Sequence, residues 1–81
     1  MQNIKNRYST PDLKLSTFLL SSGILLASVT KDNPKKVVFN FEDGDSIPKL
    51  IEAYWNDEAT VNPKHLFECW DYLKKLIHGD F

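Results

Sequence analysis

Residues 47–77 read IPKLIEAYWNDEATVNPKHLFECWDYLKKLI, and two apolar stripes at helical spacing run through them. Ile47, Leu50, Ile51, Tyr54 and Trp55 form the first; Leu66, Trp70, Leu73 and Ile77 form the second, with a short loop ending in Val61-Asn62-Pro63 between them. Apolar residues recurring three and four apart mark one face of a helix, so this half predicts an antiparallel helix pair with both tryptophans on its seam. Asn62 is placed to cap the second helix, Pro63 suits its first position, and Val61 can staple onto Leu66. Asp43-Gly44-Asp45-Ser46 opens the preceding helix, with Pro48 tolerated in its first turn.

Working back toward the N-terminus, two runs rich in β-branched and aromatic residues, Ile24 to Lys31 and Lys36 to Glu42, flank Asp32-Asn33-Pro34-Lys35. Asn-Pro initiates turns, so the two runs predict a hairpin. Strict alternation sends Val37, Phe39 and Phe41 inward on the second strand, and Leu25, Ala27 and Val29 inward on the first. Earlier still, Thr10-Pro11-Asp12 reads as a helix start, with Thr10 the cap, and Gly23 as its left-handed stop. On a helical wheel Leu15, Phe18 and Leu19 form one stripe, and Leu13 and Leu20 form another nearly opposite. Either this first helix is sandwiched between the fold and the N-terminal segment, or one stripe is exposed for a partner.

The fold expected is a single small α+β domain over residues 1–81, order α-β-β-α-α. A two-stranded antiparallel hairpin packs against the C-terminal helix pair and the N-terminal helix. Its expected core contains Phe39, Phe41, Leu50, Trp55, Leu66, Trp70 and Leu73. A domain of 81 residues buries a modest share of its surface, so the ten aromatic residues must supply density without disulfides. The single cysteine, Cys69, excludes an internal disulfide framework and fits a reducing, cytoplasmic setting. The run Phe18 to Val29 is too short to span a bilayer and is interrupted at Ser21-Ser22-Gly23, so no membrane role is expected.

Quoted together, Tyr8-x-Thr10-x-Asp12-Leu13, Phe18-Leu19-Leu20-x-x-Gly23 and Val38-Phe39-x-Phe41-Glu42-Asp43 make a first group of motifs. Leu50-Ile51-x-x-Tyr54-Trp55, Val61-Asn62-Pro63-x-x-Leu66-Phe67 and Leu73-Lys74-x-Leu76-Ile77 make a second. In this order they resemble a family of small uncharacterised bacterial and bacteriophage domains that carries a domain-of-unknown-function label. The resemblance runs from Tyr8 to His78. It implies a stand-alone α+β domain of bacterial or phage origin, and assigns no activity and no site residue.

The residues themselves offer little chemistry. His65 and Cys69 lie four apart on one helical flank, but a metal site needs three or four ligands. Neighbouring Glu68 and Asp71 would disfavour a thiolate at Cys69. Carboxylates cluster at Glu42, Asp43 and Asp45 and at Asp57 and Glu58, in turns where they would be solvated, whereas general acid–base work needs a pocket. The glycines Gly23, Gly44 and Gly79 are isolated, so no phosphate cradle is present. The expectation is therefore a non-enzymatic domain with no cofactor and no metal, binding a protein partner or itself. Leu13 and Leu20 on the first helix, with Ile24 and Leu26 on the outer side of the hairpin, are the candidate contact residues.

The alternative is nucleic-acid binding through the hairpin tip, by Lys31, Lys35 and Lys36 with Arg7 nearby. Residues 1–40 hold six cations against two carboxylates, and residues 41–81 four cations against nine carboxylates. The net charge of -1 lacks the basic excess that drives counterion release from a polyanion, which ranks that reading second.

Overall fold

The chain runs β1 (Tyr8–Thr10), α1 (Leu13–Ser21), β2 (Leu26–Asn33), β3 (Lys36–Phe41), α2 (Ile47–Trp55) and α3 (Pro63–His78). The computed structural model describes residues 7–33, 36–42 and 45–78. The hairpin forms as expected, but the sheet has three strands in the order β1-β3-β2. The sequence reading missed β1, which runs antiparallel to β3 with Tyr8 opposite Phe41 and Thr10 opposite Phe39. Three residues are too few to display a period, and their partner lies some thirty positions away. The third strand matters energetically, because a two-stranded sheet alone is marginal in water.

Assigning Thr10 to a strand moves the helix cap. Thr10 is buried, and its hydroxyl accepts a hydrogen bond from the Asp12 amide at 3.1 Å. Asp12, rather than Thr10, caps α1: its carboxylate accepts from the Leu15 amide at 3.1 Å. The chain thus turns from strand to helix within Pro11-Asp12.

Phe39 and Phe41 are buried and Val37 packs against the core, as alternation along β3 requires. On β2 the expected phase fails. Leu26 pairs with Phe41 and Ser28 with Asn40, with a register irregularity between them, so Ala27 is the extra residue of a bulge. Counting inward positions back from Val29 therefore breaks at Ala27. Ile24 is buried, Leu26 is half-buried against the core, and Leu25 faces solvent at 68% exposure.

The opposite face of the sheet is polar. Ser9 Oγ donates to Asn40 Oδ1 at 2.6 Å, and Asn40 Nδ2 donates to Ser28 Oγ at 3.0 Å and to Thr30 Oγ1 at 2.9 Å. One amide side chain on the middle strand thus ties all three strands together.

All three helices contribute to the core on the phenylalanine side: Leu15, Phe18 and Leu19 from α1, Ile47 from α2 and Leu73 from α3. The expected seam between α2 and α3 is not the main packing of either helix. Both helices pack against α1 instead, which makes α1 the centre of the helical layer. Trp55 lies one residue past the inward stripe of α2 and is 63% exposed. Trp70 and Leu66 are half-buried and lie outside the core cluster. Leu13 and Leu20, the second stripe of α1, are half-buried and pack against that cluster.

Local chemistry sets the helix ends. The Asn62 side chain accepts from the His65 amide at 3.1 Å and Pro63 opens α3, as the sequence predicts. Ser46 precedes α2 without a side-chain cap bond, while Gly44 and the turn residues Pro34 and Lys35 lie outside the described residues. At the end of α1, the amides of Gly23 and Ile24 donate to the carbonyls of Leu20 and Leu19, both at 3.1 Å. This paired cap needs a positive φ at its hinge, and Gly23 has φ +97°. A Cβ added there would meet no atom within 4 Å, so the whole cost of substitution is backbone conformation. Gly23→Ala is expected to lower stability by about 1 kcal/mol, read by urea denaturation; an unchanged midpoint would contradict the cap.

Ser16 on α1 is fully buried, and its hydroxyl has no hydrogen-bond partner. An unsatisfied buried hydroxyl costs about 1–3 kcal/mol, so Ser16→Ala should raise the urea midpoint. A lower midpoint would mean that the hydroxyl is bonded in solution.

Candidate binding groove

Because α2 and α3 both rest on α1 without lying along each other, a wedge stays open between them. It is a groove of about 580 Å³, within the range of ligand and peptide pockets. Thr17 and Phe18 of α1 form part of its wall, with Tyr54 from α2, Ala59 and Val61 from the following loop, and Leu66, Phe67 and Trp70 from α3. Lys14 and Asp57 add one charge of each sign.

Each wall has a local cause. The Tyr54 ring packs on Phe18 with centroids 5.4 Å apart and meets Trp55 edge-on at 5.1 Å. Burial, and secondarily the Asp12 carboxylate, push the Tyr54 phenol above its ordinary pKa, so it stays a neutral hydroxyl. On α3 the inward stripe runs through Cys69 and Leu73. Phe67 projects to one side of that stripe and is 64% exposed, although it lines the groove. The Lys74 ammonium sits 5.8 Å from the centre of the Trp70 ring, a cation–π contact at a solvated site.

Asp57 ends α2 with the same bond pattern that Gly23 gives α1. The Glu58 amide donates to the Ala53 carbonyl at 2.8 Å and the Asp57 amide to that of Tyr54 at 3.4 Å. Asp57 takes φ +59°, a left-handed conformation that aspartate tolerates and glycine adopts at less cost. Asp57→Gly should therefore stabilise the domain by up to about 1 kcal/mol. A thermal melt checks this, and a fall in midpoint would show that the carboxylate is needed to hold the fold.

The residues singled out from sequence are scattered over the fold. Ile24 belongs to the core, and Leu26 faces inward beside Phe41, so neither occupies the outer side of the hairpin that the reading assigned them; the bulge at Ala27 is the reason. Leu13 and Leu20 present only partial surface. Lys31 and Lys36 are exposed near the hairpin tip, while Lys35 lies outside the described residues. Arg7 precedes Tyr8, which pairs at the Phe41 end of β3, and Lys36 pairs at the other end. At about 3.3 Å per strand residue, about 17 Å separates the two ends. Arg7 and the tip lysines therefore do not form one basic patch.

The groove escaped the sequence reading, though Phe67, lying off the apolar stripe of the last helix, was its available signal. His65 Nε2 and Cys69 Sγ are 3.9 Å apart, and His65 lies 3.8 Å from Glu68. Burial first, and Glu68 second, push the Cys69 thiol up, which keeps it protonated rather than nucleophilic. Among the described residues no three metal-binding side chains gather, and no helix is long and apolar enough to cross a membrane.

A family model described as Domain of unknown function (DUF5659) matches residues 5–79. The match takes in nearly the whole chain, and the chain belongs to that family. No curated protein and no solved structure matches it.

Proposed function

We propose that this member of the family is a small non-catalytic interaction domain, docking a protein partner or another copy of itself in the groove between α2 and α3. One observation carries the reading: an aromatic-walled groove of about 580 Å³ keeps Phe67, a large apolar side chain, 64% exposed. Interfaces draw most of their energy from a few aromatic anchors seated in concave, desolvated pockets. A cytoplasmic setting accords with the lone buried thiol of Cys69, and a bacterial or phage source with the family resemblance.

The contact surface thus moves from Leu13, Leu20, Ile24 and Leu26 to the groove wall. Nucleic-acid binding has weaker support, because Lys31 and Lys36 stand apart from Arg7 and would offer few phosphate contacts.

Peptides selected from a random library against the wild-type domain test the proposal. They are expected to lose at least about tenfold in affinity for Phe67→Ser, as loss of an interface anchor implies, and to bind a Lys31, Lys36 double-glutamate variant unchanged. Selected peptides indifferent to Phe67→Ser would refute the groove as the docking surface.

A further inference from the structure

We propose that the groove's occupant is a second copy of this chain, related by a two-fold axis. The Phe67 ring of each copy enters the groove of the other, and Lys14 of each meets the partner's Asp57. This rests on the reading of the groove as a docking surface, and adds to it the identity of what docks.

The patch is self-complementary. In a two-fold interface the same patch serves both sides, so a contact of residue i with residue j implies the contact of j with i. The patch must then carry both members of every pair it makes. This one carries a hole and a knob, since the groove has open volume while Phe67 on its wall projects into solvent. It also carries one cation and one anion. Lys14 and Asp57 line the same groove, both are exposed, and neither is joined to a described residue by an ion pair.

A rim of single sign would repel its own copy and select an oppositely charged partner. The mixed rim instead pairs with itself after rotation. The chain's net charge of -1 adds little long-range repulsion between copies. A carboxylate at φ +59°, where glycine would be less strained, accords with a use for that charge.

An interface of standard size removes about 800 Å² from each partner, roughly one seventh of the 5670 Å² accessible here. A single groove and its lip offer less than that. The dimer is accordingly a concentration-dependent one.

Sedimentation equilibrium from about 10 μM to about 1 mM spans the range where a small interface associates. Wild type should pass from monomer to dimer across it. Lys14→Glu alone places two carboxylates together at each contact, and Asp57→Lys alone places two ammoniums together. Each should weaken self-association at least about tenfold. An equimolar mixture of the two variants should form a heterodimer about as strong as wild type, because each contact then joins opposite charges again. Circular dichroism melts confirm that the variants are folded. Phe67→Ser gives a reading that does not depend on the strained position 57, and should be monomeric throughout.

Wild type remaining monomeric at the highest concentration would overturn the proposal. So would a dimer indifferent to Phe67→Ser, or a failure of the folded charge variants to complement each other. If wild type is monomeric and selected peptides still depend on Phe67, the docking surface stands and only the second copy falls. If neither associates through Phe67, both readings fall.

Discussion

Phe41→Ala should remove most of the domain's stability, whereas Trp55→Ala should leave the melting temperature nearly unchanged. Phe41 is fully buried on the middle strand, opposite Tyr8 on one side and Leu26 on the other, and it belongs to the cluster that joins sheet to helices. Truncating such a ring forfeits its transfer energy and leaves a cavity, at a cost of about 3–5 kcal/mol. Domains of this size have a total stability of about 4–12 kcal/mol, so the variant should be largely unfolded well below the wild-type midpoint. Trp55 is larger, yet it is 63% exposed, and exposed substitutions change stability by about 0.5 kcal/mol or less. Urea denaturation of both variants decides the matter. A Trp55→Ala variant less stable than Phe41→Ala would restore the tryptophan seam and refute the packing described.

Leu19→Ala should cost about 2–5 kcal/mol, the range for a leucine with no exposure, while its neighbour Leu20→Ala should cost far less. Leu19 is fully buried, its carbonyl accepts from the Ile24 amide in the cap of α1, and both side chains lie in the core. Its truncation therefore weakens the helix that both α2 and α3 rest on. Leu20 is only half-buried. Equal losses at the two positions would mean that α1 is buried on both faces alike, and that its central place is misjudged.

What could be read from the sequence was local. Gly23 and Asn62-Pro63 announce their caps because the required backbone conformation is written in the residue itself. Phe39 and Phe41 announce the inward face of β3 because alternation there is uninterrupted. The reading failed where the answer depended on distant chain. Tyr8–Thr10 becomes a strand only because β3 offers it an edge, and the phase of Ile24, Leu25 and Leu26 depends on a bulge invisible to a two-residue period. Both helical stripes in residues 47–77 were identified, but a stripe states which face is buried and not against what. Each meets α1, so Trp55 and Trp70 left the supposed seam, and the space between the two helices became the groove. No local pattern encodes such a void, which is why its residues emerged only with the tertiary arrangement.

The central claim is that this domain binds through the wedge between α2 and α3. Backbone amide chemical shifts of the isotopically labelled domain, followed as a selected peptide or rising concentration of the domain itself fills the site, test it most directly. The account predicts that the perturbed amides fall around Lys14 to Phe18, Tyr54 to Val61 and Leu66 to Trp70, with Ser9, Ser28, Thr30 and Asn40 on the polar sheet face unmoved. Perturbations centred on that sheet face or on Lys31 and Lys36, with the groove silent, would contradict it.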